Sequence, residues 1–271
     1  MPELPEVETT RRGVAPHLEG RSVEAVIVRQ PSLRWPVPEE LGRALAGAHL
    51  NHVSRRAKYL LFRFDRGTLI LHLGMSGHLR VIPAATPVRS HDHLDVVFEG
   101  DRCLRFNDPR RFGSVHWVTG EPEQHPLLAE LGPEPLDGEF HGDHLFQASR
   151  GRRVAVKVFI MNARIVVGVG NIYASEALFL AGIRPGRAAG RVTRAEYARL
   201  AEAIKTVLQK AIIAGGTTLR DFAQPDGAAG YFAQQLNVYD RAGEPCRVCA
   251  TEIRHRVMGQ RATYFCPACQ K

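Results

Sequence analysis

The chain contains no apolar run long enough to span a bilayer as a helix, which excludes an integral membrane helix, and no membrane partner is expected. It shows no charged-then-apolar leader, so the expected location is the cytoplasm. It shows no internal repeat, which argues against a solenoid. Cysteine is scarce, five in 271 residues, and one of them, Cys103, has no neighbour to pair with in sequence. Without a leader, a disulfide framework is therefore disfavoured. Acidic residues are in deficit: 28 Asp and Glu face 36 Lys and Arg, giving a formal net charge of +8 and a pI near 9.6. That surplus favours a polyanionic partner, nucleic acid first, although charge alone does not decide the matter. The length allows one large or two modest domains.

What is present begins at the second residue. Removal of Met1 from Met1-Pro2-Glu3-Leu4-Pro5-Glu6 leaves Pro2 as a free secondary amine. Such an amine titrates at about 7.7–8.0, so much of it is nucleophilic at neutral pH. Attack on a carbonyl-like carbon forms an iminium, an electron sink for bond cleavage. Glu3 adjoins it as a carboxylate able to move protons. Taken alone, Pro2 reads first as an ordinary start residue, and only the rest of the chain overturns that reading. At the other end stand Cys246-Arg247-Val248-Cys249 and Cys266-Pro267-Ala268-Cys269. Paired C-x-x-C knuckles separated by a hairpin-length spacer point to one tetrahedral Zn²⁺. Cys246, Cys249, Cys266 and Cys269 close its coordination, so the metal is expected to be structural.

Between these ends the pattern changes twice. Pro5, Glu6 and Glu8 suit a helix start, and the helix is expected to end near Arg11-Arg12, before Gly13. From Ser22 to about Val118, β-forming runs with Gly and Pro punctuation predict a β-sandwich or barrel. Residues 122–142, rich in Pro, Gly, Glu and Asp, are expected to link two domains. Helical spacing follows, with one helix from Asn171 through Leu180. A second runs from about Arg194, after a Thr193/Glu196 capping box, to Gly215-Gly216. Residues 217–231 lack periodicity and are expected to form a loop.

Several clusters could carry chemistry, each with a plainer alternative. Arg55-Arg56-Ala57-Lys58-Tyr59 is a basic turn or a solvated charge cluster. Met75, in Gly74-Met75-Ser76-Gly77, is either presented by a loop or fills a core gap. Asp108-Pro109-Arg110-Arg111-Phe112-Gly113 pairs guanidinium groups with an aromatic, which suits base or phosphate contact and wedging between bases. It also reads as a turn with an aromatic anchor. Gly168 and Gly170 precede a helix whose N–H groups can cradle phosphate. Gly259-Gln260-Arg261 lies inside the zinc hairpin, and Arg150-Gly151-Arg152-Arg153 forms a basic loop. His91-Asp92-His93 resembles a metal triplet, but neighbours on a strand face opposite ways. A backbone or phosphate contact by His91 is the better reading.

Together, in this order along the whole chain, these motifs resemble the bacterial formamidopyrimidine-DNA glycosylase family. The resemblance implies an α+β multidomain fold: an N-terminal β-sandwich with a leading helix, a helix-two-turns-helix module, and a C-terminal zinc-finger β-hairpin. The implied divisions are 1–121, a linker 122–142, the helical module 143–235, and the zinc finger 236–271. It implies a monomeric base-excision-repair enzyme that flips oxidised purines (8-oxoguanine, formamidopyrimidines) out of double-stranded DNA, removes the base and cleaves the strand. In a bacterium it would associate with the nucleoid when bound to DNA. By this likeness Pro2 forms the Schiff base at C1′, and Glu3 donates protons in base release and ring opening. Lys58 serves β-elimination and Arg261 serves δ-elimination. Asn171 holds phosphate, while Met75, Arg110 and Phe112 fill the gap left by the extruded nucleotide. His91, Arg110 and Arg152 match DNA-contact positions, and the 217–231 loop would close over the flipped base. One departure is Asn162, where the family pattern carries Asp; loss of that charge bears on local helix packing. The competing readings are an endonuclease VIII-like enzyme for oxidised pyrimidines, against which Leu4 speaks, and a noncatalytic zinc DNA-binding protein.

Overall fold

The computed structural model describes residues 2–215 and 236–271; the expected 217–231 loop lies outside the described residues. The chain divides into two compact units, one built on Met1–Ala129 and the other on Glu130–Ile213 with the C-terminal segment.

In the first unit, helix α1 (Leu4–Leu18) leads into β1 (Val23–Val28), a short α2 (Leu41–Leu45), and strands β2 (Leu50–Arg56), β3 (Tyr59–Phe64) and β4 (Gly67–His72). β5 (His78–Ile82), β6 (Asp92–Phe98), β7 (Arg102–Asn107) and β8 (Ser114–Val118) follow. Two four-stranded antiparallel sheets result, in the orders β1-β6-β7-β5 and β2-β3-β4-β8. Leu60, Phe62 and Leu71 of one sheet share a single apolar cluster with Val96, Leu104 and Phe106 of the other, which makes the pair a sandwich. Val7, Val14 and Leu18 of α1 join that cluster. This corrects the helix end expected near Gly13. A glycine inside a helix costs about 1 kcal/mol relative to alanine. Burying Leu18 alone contributes about 1.5–3 kcal/mol, so the helix continues through Gly13 to keep its apolar face on the core.

One buried ionic network braces the β1-β6-β7-β5 sheet. Arg105, only 1% exposed, donates Nε and Nη2 to Asp95 at 2.8 Å each. Its Nη1 donates to the Thr86 and Pro87 carbonyls. Arg29 donates to the same Asp95 at 2.7 Å. Burial alone would raise the Asp95 carboxyl, but the hydrogen bonds and charges of Arg105 and Arg29 outweigh it and hold it below 3.8.

The second unit contains α3 (Gly142–Ser149), α4 (Val156–Ile160), α5 (Asn171–Leu180), α6 (Arg194–Ile213) and the hairpin β9 (Arg254–Met258) with β10 (Arg261–Phe265). α6 packs on α3 and α5, and β10 packs on α5. The α6 stripe Leu200, Ile204, Val207, Leu208, Ala211 and Ile212 is buried, as its spacing predicts. Its capping box forms: Thr193 N–H donates to Glu196 Oε2 at 2.8 Å, and Glu196 N–H donates to Thr193 Oγ1 at 3.3 Å. Arg187 grips the same Glu196 with both Nη atoms, at 2.6 and 2.8 Å, and pulls its carboxyl down to about 2.

Replacing Asp95 with alanine removes the carboxylate that takes both Nε and Nη2 of Arg105 and leaves only the 3.6 Å approach of Asp92. The expected loss is about 3–5 kcal/mol of stability, read as a lower urea midpoint for the first unit at unchanged slope.

Candidate active site and nucleic-acid interface

In the first unit Pro2 and Glu3 are buried at the start of α1, with Glu3 as the residue that precedes its first turn. The Glu6 carboxylate accepts from Glu3 N–H at 2.8 Å, which fixes the direction in which the chain enters the helix. Two residues on, Glu8 gathers Arg11, Arg12 and Arg55. Burial raises the Glu8 carboxyl, but hydrogen bonds from Arg11 and Arg12 and the charges of Arg11 and Arg55 win, leaving it below 4.5. Since Arg55 sits on β2, this cluster ties α1 to the turn that carries Lys58. Ala57 takes a left-handed φ of 54° there, and Arg55 donates to its carbonyl at 2.9 Å. Lys58 is half-buried.

His72 stands at the end of β4. Burial, followed by the charges of Lys58 and Arg34, lowers its pKa to about 4. Gly74 N–H donates to its Nδ1 at 3.0 Å, so the neutral ring carries its proton on Nε2. A neutral N–H donor thus stands near the Lys58 ammonium. A histidine in a strand has no sequence signal that would have marked this; only the fold of β3 and β4 does.

The Met75 loop and the Arg110–Phe112 loop are locked together by one carboxylate. Asp108 is fully buried. Its Oδ1 accepts from Ser76 Oγ at 2.7 Å and its Oδ2 from Gly113 N–H at 2.7 Å. Ser76 Oγ in turn accepts from Arg110 N–H at 3.2 Å. The Asp108 carbonyl meets His93 Nε2 at 2.8 Å, and its N–H donates to the His91 carbonyl at 3.1 Å. The loops touch backbone to backbone: a Cβ on Gly74, whose φ is 66°, would lie 2.4 Å from both Gly113 N and Phe112 C. No other residue fits there. Met75 is left half-buried, while Arg110 and His91 are exposed and Phe112 is 42% exposed under the Arg110 guanidinium, 5.1 Å from its ring centroid. His91 has a left-handed φ of 69° and His93 is buried on its own hydrogen bond. The triplet is therefore no metal site, and the structure gathers Met75, His91, Arg110 and Phe112 around one clamp.

In the second unit Asn171 opens α5, directly after Gly170. Its Oδ1 accepts from Lys157 Nζ at 2.7 Å. The same ammonium, 0% exposed, donates to the Ala262 carbonyl and Thr263 Oγ1, each at 2.9 Å. Three acceptors satisfy a buried lysine and bind α4, α5 and β10 together. Nothing in the sequence around Lys157 marks it as such a junction. The hairpin closes through Gly259 and Gln260, with φ of 54° and 60°, a turn of the type that matches strand twist. It presents Arg261, exposed, at the first position of β10. Arg152 is also exposed, but it is held at the end of α3 by the Ala148 and Ser149 carbonyls, apart from the Lys157 cluster. Asn162 is exposed, and its Oδ1 accepts from Arg164 N–H at 3.0 Å. Asparagine closes that turn as aspartate would, so local packing is intact despite the lost charge.

Cys246, Cys249, Cys266 and Cys269 place their Sγ atoms within 4.8 Å of one another. A tetrahedron with Zn–S bonds of about 2.3 Å has edges of about 3.8 Å, and three of the pairs stand at 3.4, 3.5 and 3.9 Å. Val248 N–H points at Cys246 Sγ and Cys269 N–H at Cys266 Sγ, both at 3.4 Å, as expected for thiolate knuckles. The donor set fits one zinc ion in a closed, structural site. Cys103 lies apart, buried in the sandwich, its thiol pushed up to about 11 by burial and by Asp95. It is unreactive there.

The chain matches three family models: the formamidopyrimidine-DNA glycosylase N-terminal domain over residues 1–115, the corresponding H2TH domain over 131–223, and a zinc finger found in FPG and IleRS over 243–271. It is 62% identical over 271 residues to a formamidopyrimidine-DNA glycosylase of Thioalkalivibrio sulfidiphilus, covering 100% of both chains. Among solved structures it resembles a Lactococcus lactis FPG mutant in complex with Fapy-dG-containing DNA, with a TM-score of 0.92 at 33% identity and 100% coverage of both chains. It also resembles a MutM in complex with DNA containing carbocyclic 8-oxo-G, with a TM-score of 0.91 at 33% identity and 100% coverage of both.

His72 gives acid stability a distinct window. The native ring takes a proton only near pH 4, whereas the unfolded residue does so near 6.5. Between those values the unfolded chain binds more protons, so stability present above about 6.5 falls as pH drops toward about 4. His78, His116 and His125, also lowered, act in the same direction, while Asp92 and Asp95 titrate below 3.8. His72→Asn is expected to flatten part of that decline in thermal melts between pH 4 and 6.5.

Proposed function

The chain belongs to the formamidopyrimidine-DNA glycosylase family, and from that premise we propose how its own residues carry the reaction. It is a base-excision-repair DNA glycosylase with AP lyase activity, acting on oxidised purines in damaged double-stranded DNA and holding one structural zinc. The observation that carries the site assignment is the Asp108 clamp, which holds an apolar and cationic cluster outward in the unit that also presents Pro2 and Glu3.

C1′ of a stacked nucleotide is out of reach of any side chain, so the nucleotide must leave the helix and its place must be filled. Met75, Arg110 and Phe112 are suited to that gap, two by apolar bulk and one by hydrogen bonding. Once Met1 is removed, Pro2 attacks C1′, the base leaves, and an iminium links protein to sugar. Glu3 supplies the protons for base departure and ring opening. The iminium acidifies the C2′ hydrogen, so strand cleavage follows base loss. Lys58 protonates in β-elimination, and Arg261 in δ-elimination. His91, Asn171 and Arg152 contact the DNA backbone, which gives position without sequence preference. Cys246, Cys249, Cys266 and Cys269 hold the zinc, which supplies fold and no chemistry. The division into 1–121, 122–142, 143–235 and 236–271 follows these roles. We place the enzyme in the bacterial cytoplasm, on the nucleoid when bound to DNA, as a monomer.

Borohydride added during the reaction with lesion-bearing duplex is expected to trap a covalent adduct that peptide mass spectrometry locates on Pro2. An adduct on another side chain, or none, overturns the nucleophile; none at all favours the noncatalytic reading. Pro2→Gly is expected to reduce lyase activity by orders of magnitude while duplex affinity stays within a few-fold. Excision of oxidised purine should exceed that of oxidised pyrimidine in one duplex context, the reverse being the endonuclease VIII-like outcome.

Chelating the zinc is expected to weaken duplex binding and lower the unfolding temperature of the C-terminal module. Unchanged binding after complete metal removal, verified by elemental analysis, would contradict a zinc-built grip.

A further inference from the structure

A cavity of about 350 Å³ in the second unit lies among residues that none of the roles above uses. Five of the side chains that line it are cationic (Arg184, Arg187, Arg254, Arg256 and Lys271) and none is acidic, while the Lys271 main-chain carboxylate accepts from the Arg184 N–H at 2.9 Å and offsets one of those charges. Met258 and Phe265 supply its apolar surface. The charges are unequal in their engagement. Arg187 is neutralised by its two-pronged pair with Glu196. Arg184 lies over Phe265, 5.9 Å from the ring centroid, and donates to the Pro267 carbonyl at 3.2 Å, which fixes its guanidinium while leaving other N–H groups unused.

Arg254 and Arg256 differ. They are two apart on β9, so both project from one face of the hairpin. Their cross-strand partners are Phe265 and Thr263. Both arginines are exposed, and neither guanidinium has a hydrogen bond or ion pair to a side chain among the described residues. Like charges this close repel, and an ordinary strand face would interleave them with carboxylates. Here the opposite wall adds Arg184 and Lys271 instead. A concave site in which Arg254, Arg256 and Arg184 leave cationic charge in excess focuses its field on a counter-ion. Guanidinium forks match the oxygens of a tetrahedral oxyanion, and a backing of Phe265 and Met258 limits competition from water.

We propose that this cavity is a binding site for a phosphate-class oxyanion, separate from the residues that process the lesion. The anion is a phosphodiester of nucleic acid or a free phosphate; both present the same tetrahedral oxygens. The assignment goes beyond the glycosylase reading and stands independently of Pro2 and of the Asp108 clamp.

The test uses the full zinc-loaded chain and the double variant R254Q/R256Q, with pyrophosphate and an undamaged duplex as probes. Both substitutions fall on exposed strand positions; zinc stoichiometry and circular dichroism check that the hairpin stands. Pyrophosphate is expected to bind the parent chain, and at least tenfold more weakly the variant, in calorimetric titration. R254K/R256K should recover part of the loss, and R184Q, from the opposite wall, should weaken the same ligand. If the resident anion is a phosphodiester, the slope of log K against log salt for the duplex also falls by about 1 in the double variant. If it is a free phosphate, that slope is unchanged while the pyrophosphate difference remains. Equal behaviour of parent and variant toward both probes overturns the proposal. Trapping on Pro2 is measured in parallel, so failure of this site and failure of the glycosylase assignment are told apart.

Discussion

The Asp108 carboxylate is the interaction on which the presentation of the first unit's candidate site depends. It is fully buried, and each oxygen accepts from a different loop, Ser76 on one side and Gly113 on the other. A buried carboxylate without such donors would carry a desolvation cost of several kcal/mol. The loops are therefore held by the penalty for releasing them as much as by the bonds themselves. Gly74 sharpens the constraint, because its missing side chain lets the loop backbones meet. The main chain of this region is thus fixed by groups that never touch a partner, and the side chains at its rim are free to do so.

The second unit uses the same device with the opposite charge. Lys157 has no exposure and distributes its three donors over Asn171, Ala262 and Thr263. Helix α5 and the zinc hairpin are thereby joined at the N-terminus of the helix, in addition to the apolar contact of Phe179 with Ile253 and Cys266. Glu176 acts likewise further along α5, accepting from the N–H groups of Asn237, Val238 and Tyr239. Charged hydrogen bonds of this kind are directional, whereas apolar burial is not. That suits elements whose mutual orientation must be fixed, such as a helix N-terminus and an arginine-bearing hairpin tip.

Legibility in the sequence follows this division. The zinc ligands could be read because tetrahedral coordination demands four thiolates in two knuckles, and the spacing records that demand locally. The α6 stripe and its capping box were equally local, and both formed. The end of α1 was not: Gly13 marks a helix stop by propensity, and only the sandwich core, contacted by Val14 and Leu18, overrides it. His72, Asp108 and Lys157 escaped as site elements for a related reason. What marks each is tertiary: burial and the charges of Lys58 and Arg34 at His72, Ser76 32 residues from Asp108, and Thr263 106 residues from Lys157. The cluster of Met75, Arg110 and Phe112 could be suspected from composition, whereas the clamp that holds its two loops together could not.

Phe112 shows why that clamp bears on function. An aromatic side chain left 42% exposed forgoes part of the roughly 1.5–3 kcal/mol that burial would return. A loop free to relax would fold the ring inward. This one cannot, because Gly113 N–H is committed to Asp108, Arg111 holds a left-handed φ of 54°, and Arg110 N–H is committed to Ser76. Arg110 then covers one side of the ring, a cation against a π face, without enclosing it. Hydrogen bonds thus hold out an apolar surface that the hydrophobic effect would otherwise withdraw. Such an arrangement lowers the free energy of the whole only when something else covers the ring, and a gap between unstacked bases offers a flat apolar surface of matching shape. In the proposed complex, the cost of exposing Phe112 in the free protein would then be recovered as binding when the nucleotide leaves its stack.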